Sequence, residues 1–193
     1  MNEKVKNIET QILSDNWYTL KKVTYEAEKE GGEKEEVVRE VYQTKDAATV
    51  LLYNLKRETV ILTNQFRLPS YLNKNATGML LEACAGIVEK NENPDEGILR
   101  EIAEETGFEV QQAVKLFELY STAGSVTEIL HYYGAEYSPK DKTGEGGGLE
   151  EEHEDIEVVE MLFDDAYSKI KSGEIKDAKT VILLQYAKLN LFR

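Results

Sequence analysis

The sequence lacks most features of secreted, membrane or metal-finger proteins. Cys84 is the only cysteine in 193 residues, so no internal disulfide framework can form. No apolar run approaches the roughly 20 residues that span a bilayer, and no apolar segment follows the charged N-terminus as in a secretory signal. His131 and His153 have no zinc-ligand spacing with Cys84. We therefore expect a cytoplasmic protein without a membrane partner.

Basic residues are also scarce. Lys and Arg number 23 against 37 Asp and Glu, which gives a formal net charge of −14. Nucleic acid is therefore not expected as a partner, because phosphate backbones attract basic surfaces. Most of the acids are expected to form a solubilising surface. Residues 86–108, however, hold seven acids against two bases, and a cluster this dense favours cations.

The order of apolar and turn-forming segments predicts an α/β fold. Strands are predicted at 18–27, 36–43, 47–55, 59–66, 78–83, 86–89, 112–121, 126–137 and 155–162, and helices at 94–106, 164–172 and 177–190. We expect residues 1–45 to form an appended antiparallel hairpin, turning at Gly31-Gly32, and residues 46–193 to form the main domain.

The helix predicted at 94–106 has clear ends and two unlike faces. Asn93 suits the N-cap and Gly107 the C′ position. One arc is apolar and consists of Ile98, Leu99, Ile102 and Ala103. The other arc carries Glu101, Glu104 and Glu105. We expect the apolar arc to pack on a sheet and the carboxylates to face a cleft or solvent.

The glutamates alone allow two interpretations. Like charges four residues apart, as at Glu101 and Glu105, destabilise a helix by about 0.2–0.5 kcal/mol, which a solvated face can tolerate. Alternatively, the clustered carboxylate oxygens form a site for Mg²⁺ or Mn²⁺.

The spacing around these glutamates resembles the Nudix box, Gly-x5-Glu-x7-Arg-Glu-U-x-Glu-Glu-x-Gly-U, where U is a bulky apolar residue. The match runs from Gly86 to Phe108 and covers every defined position. The resemblance implies a Nudix α/β/α sandwich with a mixed sheet, and Mg²⁺-dependent hydrolysis (Mn²⁺ as a possible substitute) of the pyrophosphate bond in a nucleoside-diphosphate compound.

The same resemblance implies a role for each residue of the site. The implied metal ligands are the Ala85 carbonyl, Glu101, Glu105 and Glu154. The implied catalytic group comprises Glu104, which ligates metal or positions water, Glu128, on a loop facing the box, and the loop-pinning ion pair Glu92 and Arg100.

Most of the remaining chain resembles the GDP-mannose pyrophosphatase group within that family. Segments that carry the likeness include Ile12–Leu20, Arg39-Glu40-Val41-Tyr42, Gln65-Phe66-Arg67, Gly146-Gly147-Gly148 and Lys179-Thr180. The likeness implies a homodimer with swapped N-terminal strands, a nucleotide-sugar substrate, and substrate contacts from Trp17, Arg39, Glu40, Arg67 and Lys179. The residue types alone would favour a core tryptophan at 17, a strand ion pair at Arg39 and an exposed strand-start glutamate at 128.

Two departures bear on the substrate. Ser121–Ser125 lacks the proline common in relatives, and the acidic loop at 150–153 is about two residues longer than usual. Both loops border the expected sugar pocket. Hydrolysis of GDP-mannose to GMP and mannose 1-phosphate is therefore weighed against an ADP-ribose pyrophosphatase, which yields AMP and ribose 5-phosphate, and against a non-catalytic Nudix nucleotide sensor. The intact glutamate set argues against the sensor.

Overall fold

We describe a computed structural model of the chain, which covers residues 4–149, 151 and 154–192. The strands are β1 Val5–Asp15, β2 Thr19–Glu28, β3 Lys34–Gln43, β4 Ala47–Asn54, β5 Thr59–Phe66, β6 Met79–Glu82, β7 Cys84–Ile87, β8 Val114–Tyr120, β9 Ile129–Glu136 and β10 Glu157–Leu162. The helices are α1 Leu68–Leu72, α2 Pro94–Glu101, α3 Phe163–Ser172 and α4 Ala178–Asn190, with a π-helical turn at Ile102–Thr106 and a 3₁₀ turn at Pro139–Asp141. None of the helices in these described ranges is long and apolar enough to cross a membrane.

The chain divides into two compact units, of which the first comprises Met1–Asp46 and Leu119–Leu130. Its three-stranded antiparallel sheet has the order β1-β2-β3, with the predicted turn at Gly31 and Gly32 in positive φ. Backbone hydrogen bonds tie the second segment to the first, since the amide of Tyr42 donates to the Ser125 carbonyl at 2.8 Å. The sequence did not predict β1, because that strand is almost wholly exposed and so shows no apolar alternation.

The second unit comprises Ala47–Glu118 and His131–Arg193. Its sheet follows the order β10-β5-β4-β9-β8, with β6 paired to β5 and β7 paired to β4. The central strand β4 is buried on both faces: Val50 and Leu52 belong to one apolar cluster, and the alternate residue Leu51 is buried on the opposite side. Helices α2 and α4 both contact β4. The predicted Nudix α/β fold with a mixed sheet and antiparallel N-terminal strands is confirmed.

The core of this unit fixes α2 against the sheet. Ile98 and Ile102, two residues of the predicted apolar arc, are fully buried in a cluster with Val50, Leu52 and Ile61. The predicted ends are also confirmed, because the Asn93 side chain accepts the Asp95 amide at 3.1 Å and Gly107 adopts φ 71°. The short helix α1 was not predicted.

Candidate active site

The strand β7 passes directly against the glutamate face of α2. A Cβ placed on Gly86 would overlap the carboxylate of Glu101, so any other residue there would displace that carboxylate. One residue earlier, the Ala85 amide donates to Glu105 Oε2 at 3.2 Å. The structure therefore brings Ala85, Glu101 and Glu105 together.

Glu105 is more deeply buried than the sequence indicated. Its side chain is 1% exposed, whereas we expected all three glutamates to face a cleft or solvent. The expectation assumed 100° per residue throughout, but the helix becomes π-helical from Ile102, and the wider turn changes the direction of the residues in it. Glu101 and Glu104 stay partly accessible, with side chains 14% and 26% exposed.

These carboxylates lack enough positive charge around them. Burial, together with the charges of Glu101 and Glu154, raises the pKa of Glu105 to about 8. Burial likewise raises the pKa of Glu101 to about 7, against the lowering effect of Arg100. A buried group of repelling carboxylates is stabilised by a cation.

The donor set fits a hard cation. Glu101, Glu104, Glu105, Glu154 and the Ala85 carbonyl all offer oxygen, which suits Mg²⁺ or Mn²⁺. Among the described residues, no three Asp, Glu, His or Cys side chains already stand as a ready ligand set. Arg100 Nη1 contacts one oxygen of Glu101 at 2.9 Å and one of Glu104 at 2.8 Å, which leaves the second oxygen of each carboxylate for another partner.

Arg100 joins the preceding loop to the helix. Its Nε donates to Glu92 Oε1 at 3.1 Å and its Nη2 to Glu92 Oε2 at 3.3 Å, which forms the ion pair that the sequence predicts. The Glu89 amide donates to the same carboxylate at 2.8 Å. These bonds from Arg100 and Glu89 lower the pKa of Glu92.

The glycine segment Gly146–Gly148 caps the end of the box helix. The amides of Gly147 and Gly148 donate to the carbonyls of Glu105 and Glu104 at 2.9 and 3.1 Å. Gly148 lies against the side chain of Glu154, and that carboxylate accepts the Leu149 amide at 3.2 Å. The loop thus carries Glu154 to the box. Of the acidic segment 150–153, residues 150, 152 and 153 lie outside the described part of the chain.

Arg67 and Lys179 meet a carboxylate that sequence reasoning missed. Both bind Glu82, which is 2% exposed: Arg67 through Nε and Nη2 at 3.1 and 3.0 Å, and Lys179 through Nζ at 2.6 Å. The available signal was a single acid within the apolar run Met79–Cys84, because a carboxylate buried in a strand requires a partner.

The remaining predicted residues belong to the first unit. Trp17 is 82% exposed, so it is not part of that unit's core. Arg39 is exposed and donates to the neighbouring Val38 carbonyl at 2.8 Å, and Glu40 is exposed on the same strand. Glu128 is half-buried in the segment that leads into β9.

Comparisons with known proteins match both units of the chain. The family described as "GDP-mannose pyrophosphatase NudK N-terminal domain" matches residues 4–42, and the NUDIX domain matches residues 43–184. A GDP-mannose pyrophosphatase of Yersinia pestis (strain Pestoides F) is 46% identical over 192 residues, covering 100% of this chain and 96% of the relative.

Two further relatives carry the same name. The GDP-mannose pyrophosphatase of Yersinia enterocolitica serotype O:8 is 47% identical over 190 residues, and that of Shigella dysenteriae serotype 1 is 46% identical over 190 residues. In each case the alignment covers 98% of this chain and 98% of the relative.

Proposed function

The chain belongs to the Nudix hydrolase family, and we propose that it hydrolyses GDP-mannose to GMP and mannose 1-phosphate. The reaction class rests on the buried, under-compensated carboxylates of Glu101 and Glu105 beside Ala85. The substrate rests on similarity to GDP-mannose pyrophosphatases along the whole chain. A cytoplasmic setting agrees with the single, buried Cys84.

The proposed cofactor is Mg²⁺, with Mn²⁺ as a substitute. Glu101, Glu105, Glu154 and the Ala85 carbonyl would hold it. Bound there, the cation would neutralise phosphate oxygens and lower the pKa of an attacking water.

The other box residues position groups and move a proton. Glu104 is partly accessible and fixed by Arg100 at 2.8 Å, so it can accept the proton of the attacking water. Glu92 holds Arg100 and thereby the loop before α2. Glu128 is the second candidate for the proton acceptor. Such a division suits phosphoryl transfer, in which the protein mainly positions reactants and stabilises charge.

Substrate recognition is proposed to use both domains, 1–45 and 46–193. Arg67 has Nε and Nη2 on Glu82, which leaves Nη1 for an oxygen of the diphosphate or sugar. Lys179 would bind the diphosphate or sugar in the same way. Trp17, Arg39 and Glu40 would bind the nucleotide, with the exposed Trp17 ring beside the base.

A hydrolysis screen with product identification tests the assignment. GDP-mannose, GDP-glucose, ADP-ribose and ADP-glucose are each incubated with the protein and Mg²⁺, with Glu101→Gln protein as the inactive reference. We expect GMP and mannose 1-phosphate to form fastest. Preferential release of AMP and ribose 5-phosphate would establish an ADP-ribose pyrophosphatase instead, and no hydrolysis of any compound would favour the nucleotide sensor.

We also propose a homodimer in which the N-terminal strands serve the partner's site. The sheet β1–β3 exposes Ile8 and Ile12, and the turn between β1 and β2 exposes Trp17; an isolated small sheet is marginal in water without packing. Heterodimers of Arg39→Ala and Glu105→Gln protein, made by co-expression, would then contain one intact site and regain activity. Folded, verified heterodimers with no activity would show that each hairpin serves its own chain.

A further inference from the structure

Glu82 is a buried acid that takes no part in the box. It is the last residue of β6, and its carboxylate lies between two cationic side chains from distant parts of the chain. Arg67 approaches with two parallel N–H groups, at 3.1 and 3.0 Å. Lys179 approaches one of the same oxygens at 2.6 Å.

Lys179 is held in place from two sides. Its Nζ also lies 3.2 Å from Asp177 Oδ1. Asp177 caps α4 by accepting the Thr180 amide at 2.9 Å, and the Thr180 hydroxyl accepts the Ala83 amide at 2.7 Å. The start of α4 is therefore fixed to the residue that follows Glu82.

Arg67 keeps an unused edge. The bidentate contact consumes Nε and Nη2, and within the described residues Nη1 has no hydrogen-bond partner. The side chain is 40% exposed, so this edge is accessible. A guanidinium bound through one fork is rigid and presents its remaining N–H groups in a fixed plane.

The charges in this cluster already cancel. Glu82 and Asp177 match Arg67 and Lys179, and the attraction of these cations outweighs burial, so the pKa of Glu82 is lowered. A neutral cluster attracts an anion weakly from a distance. Its contribution to binding would come from donors held in the correct orientation.

We propose that Glu82 is a positioning residue, which orients Arg67 and steadies Lys179 so that their remaining N–H groups bind the diphosphate sugar. This inference rests on the proposed function. Glu82 would affect substrate binding through Arg67, and it would not contact the reacting atoms.

The test is a double-mutant cycle on binding and turnover. The affinity of the full-length protein for GDP-mannose is measured by calorimetry with Ca²⁺ in place of Mg²⁺ to slow hydrolysis, and kcat and KM are measured with Mg²⁺. Glu82→Gln and Arg67→Ala should each weaken binding and raise KM at least about 10-fold, the scale of one charge-assisted hydrogen bond. The change in kcat should be smaller than the change in KM.

The double variant should be little weaker than Arg67→Ala alone, because Glu82 acts through Arg67. Arg67→Lys should bind no better than Arg67→Ala, because lysine keeps the positive charge but lacks the two parallel N–H donors of the guanidinium. The matched control is Glu160→Gln on β10. The Glu160 carboxylate lies 3.1 Å from Arg57 Nη1, and its removal should leave the affinity for GDP-mannose unchanged. Thermal unfolding is recorded for every variant.

Several outcomes would overturn the proposal. These are additive losses in the cycle, full affinity in Arg67→Lys, or a Glu82→Gln effect confined to kcat. If Glu82→Gln does not fold, Arg67→Lys against Arg67→Ala decides the matter alone. A wild-type protein that binds GDP-mannose without hydrolysing it refutes the proposed function, yet the affinity cycle still decides the role of Glu82. A wild-type protein that binds none refutes both.

Discussion

Glu82 and Glu105 are buried to the same degree, at 2% and 1% exposure, yet their carboxylates respond in opposite ways. At Glu82, attraction to Lys179 and Arg67 outweighs burial and lowers the pKa. At Glu105, burial dominates, neighbouring carboxylates add to it, and the pKa rises to about 8. The first carboxylate is neutralised by cationic side chains of the chain itself, whereas the second is one at which we propose that a metal cation binds.

The arginine of the box helix is already shared among several acids. Arg100 divides its donors among Glu92, Glu101 and Glu104, so its charge is shared by three acids. The hydrogen bonds that reach Glu105 come from the Ala85 amide and the Cys84 thiol, and neither group carries positive charge. A buried carboxyl group whose pKa is perturbed in this way is typical of a functional site.

Among the tests of this contrast between Glu82 and Glu105, removal of divalent metal should have the largest effect on activity. A chelator should abolish hydrolysis, because the diphosphate and the box carboxylates repel each other without a bridging cation. Added Mg²⁺ should restore full turnover, and the readout is release of mannose 1-phosphate. Full activity in excess chelator would refute the metal site.

Neutral replacement at the box should have the next largest effect. Glu101→Gln and Glu105→Gln keep the side-chain shape but remove a charged oxygen donor, and kcat should fall at least about 100-fold, the scale of losing one key electrostatic group. Glu96→Gln, on the exposed side of α2, is the matched control and should behave as wild type. Near-normal turnover in both box variants would show that Glu101 and Glu105 are not part of the active site.

The two carboxylates should also differ in their effect on stability. In metal-free protein, Glu82→Gln should destabilise by roughly 3 kcal/mol, because it leaves Arg67 and Lys179 without their shared anion. At a pH above about 8, where the Glu105 carboxylate is charged, Glu105→Gln should stabilise by about 1 kcal/mol, because it removes a poorly satisfied buried charge. Chemical denaturation with a chelator present measures both. Destabilisation by the same amount in the two variants would contradict the contrast.

The stability of the metal-free protein should depend on pH in opposite ways through Glu105 and Glu82. Glu105 has a folded-state pKa raised from 4.5 to about 8, so the folded protein binds the extra proton in this range. Stability should therefore fall as the pH rises from about 4.5 to 8, by up to several kcal/mol. Glu105→Gln should reduce this slope, and the part that remains comes from Glu101, whose pKa is also raised. The lowered pKa of Glu82 acts oppositely, and its stabilisation is lost as the pH falls below about 4.5.

The sequence predicted those parts of the fold and site that depend on local patterns. The start of α2 follows from Asn93 and the end of the π-helical turn after it follows from Gly107, and the clustering of Glu101 with Glu105 follows from their spacing. The depth of Glu105 did not follow, because it depends on a π-helical turn that the residue pattern does not reveal.

The pairing at Glu82 was also beyond local patterns. Its partners, Arg67 and Lys179, lie 15 and 97 residues away, and only the sheet and the start of α4 bring them together. The exposed strand β1 was missed for the opposite reason, since a strand with almost no buried residues has no apolar alternation to read.

The smallest expected effect concerns Glu92 and Arg100, where both residues are partly exposed. We expect a coupling of about 0.5–1 kcal/mol in a double-mutant cycle on stability, because solvent screens the pair but the bidentate geometry is favourable. The variants are Glu92→Gln, Arg100→Gln and both together, unfolded in denaturant with chelator present. Arg100→Gln also frees the oxygens of Glu101 and Glu104, so the single arginine loss should exceed the single glutamate loss. Strict additivity would show that the contact between Glu92 and Arg100 contributes nothing to stability.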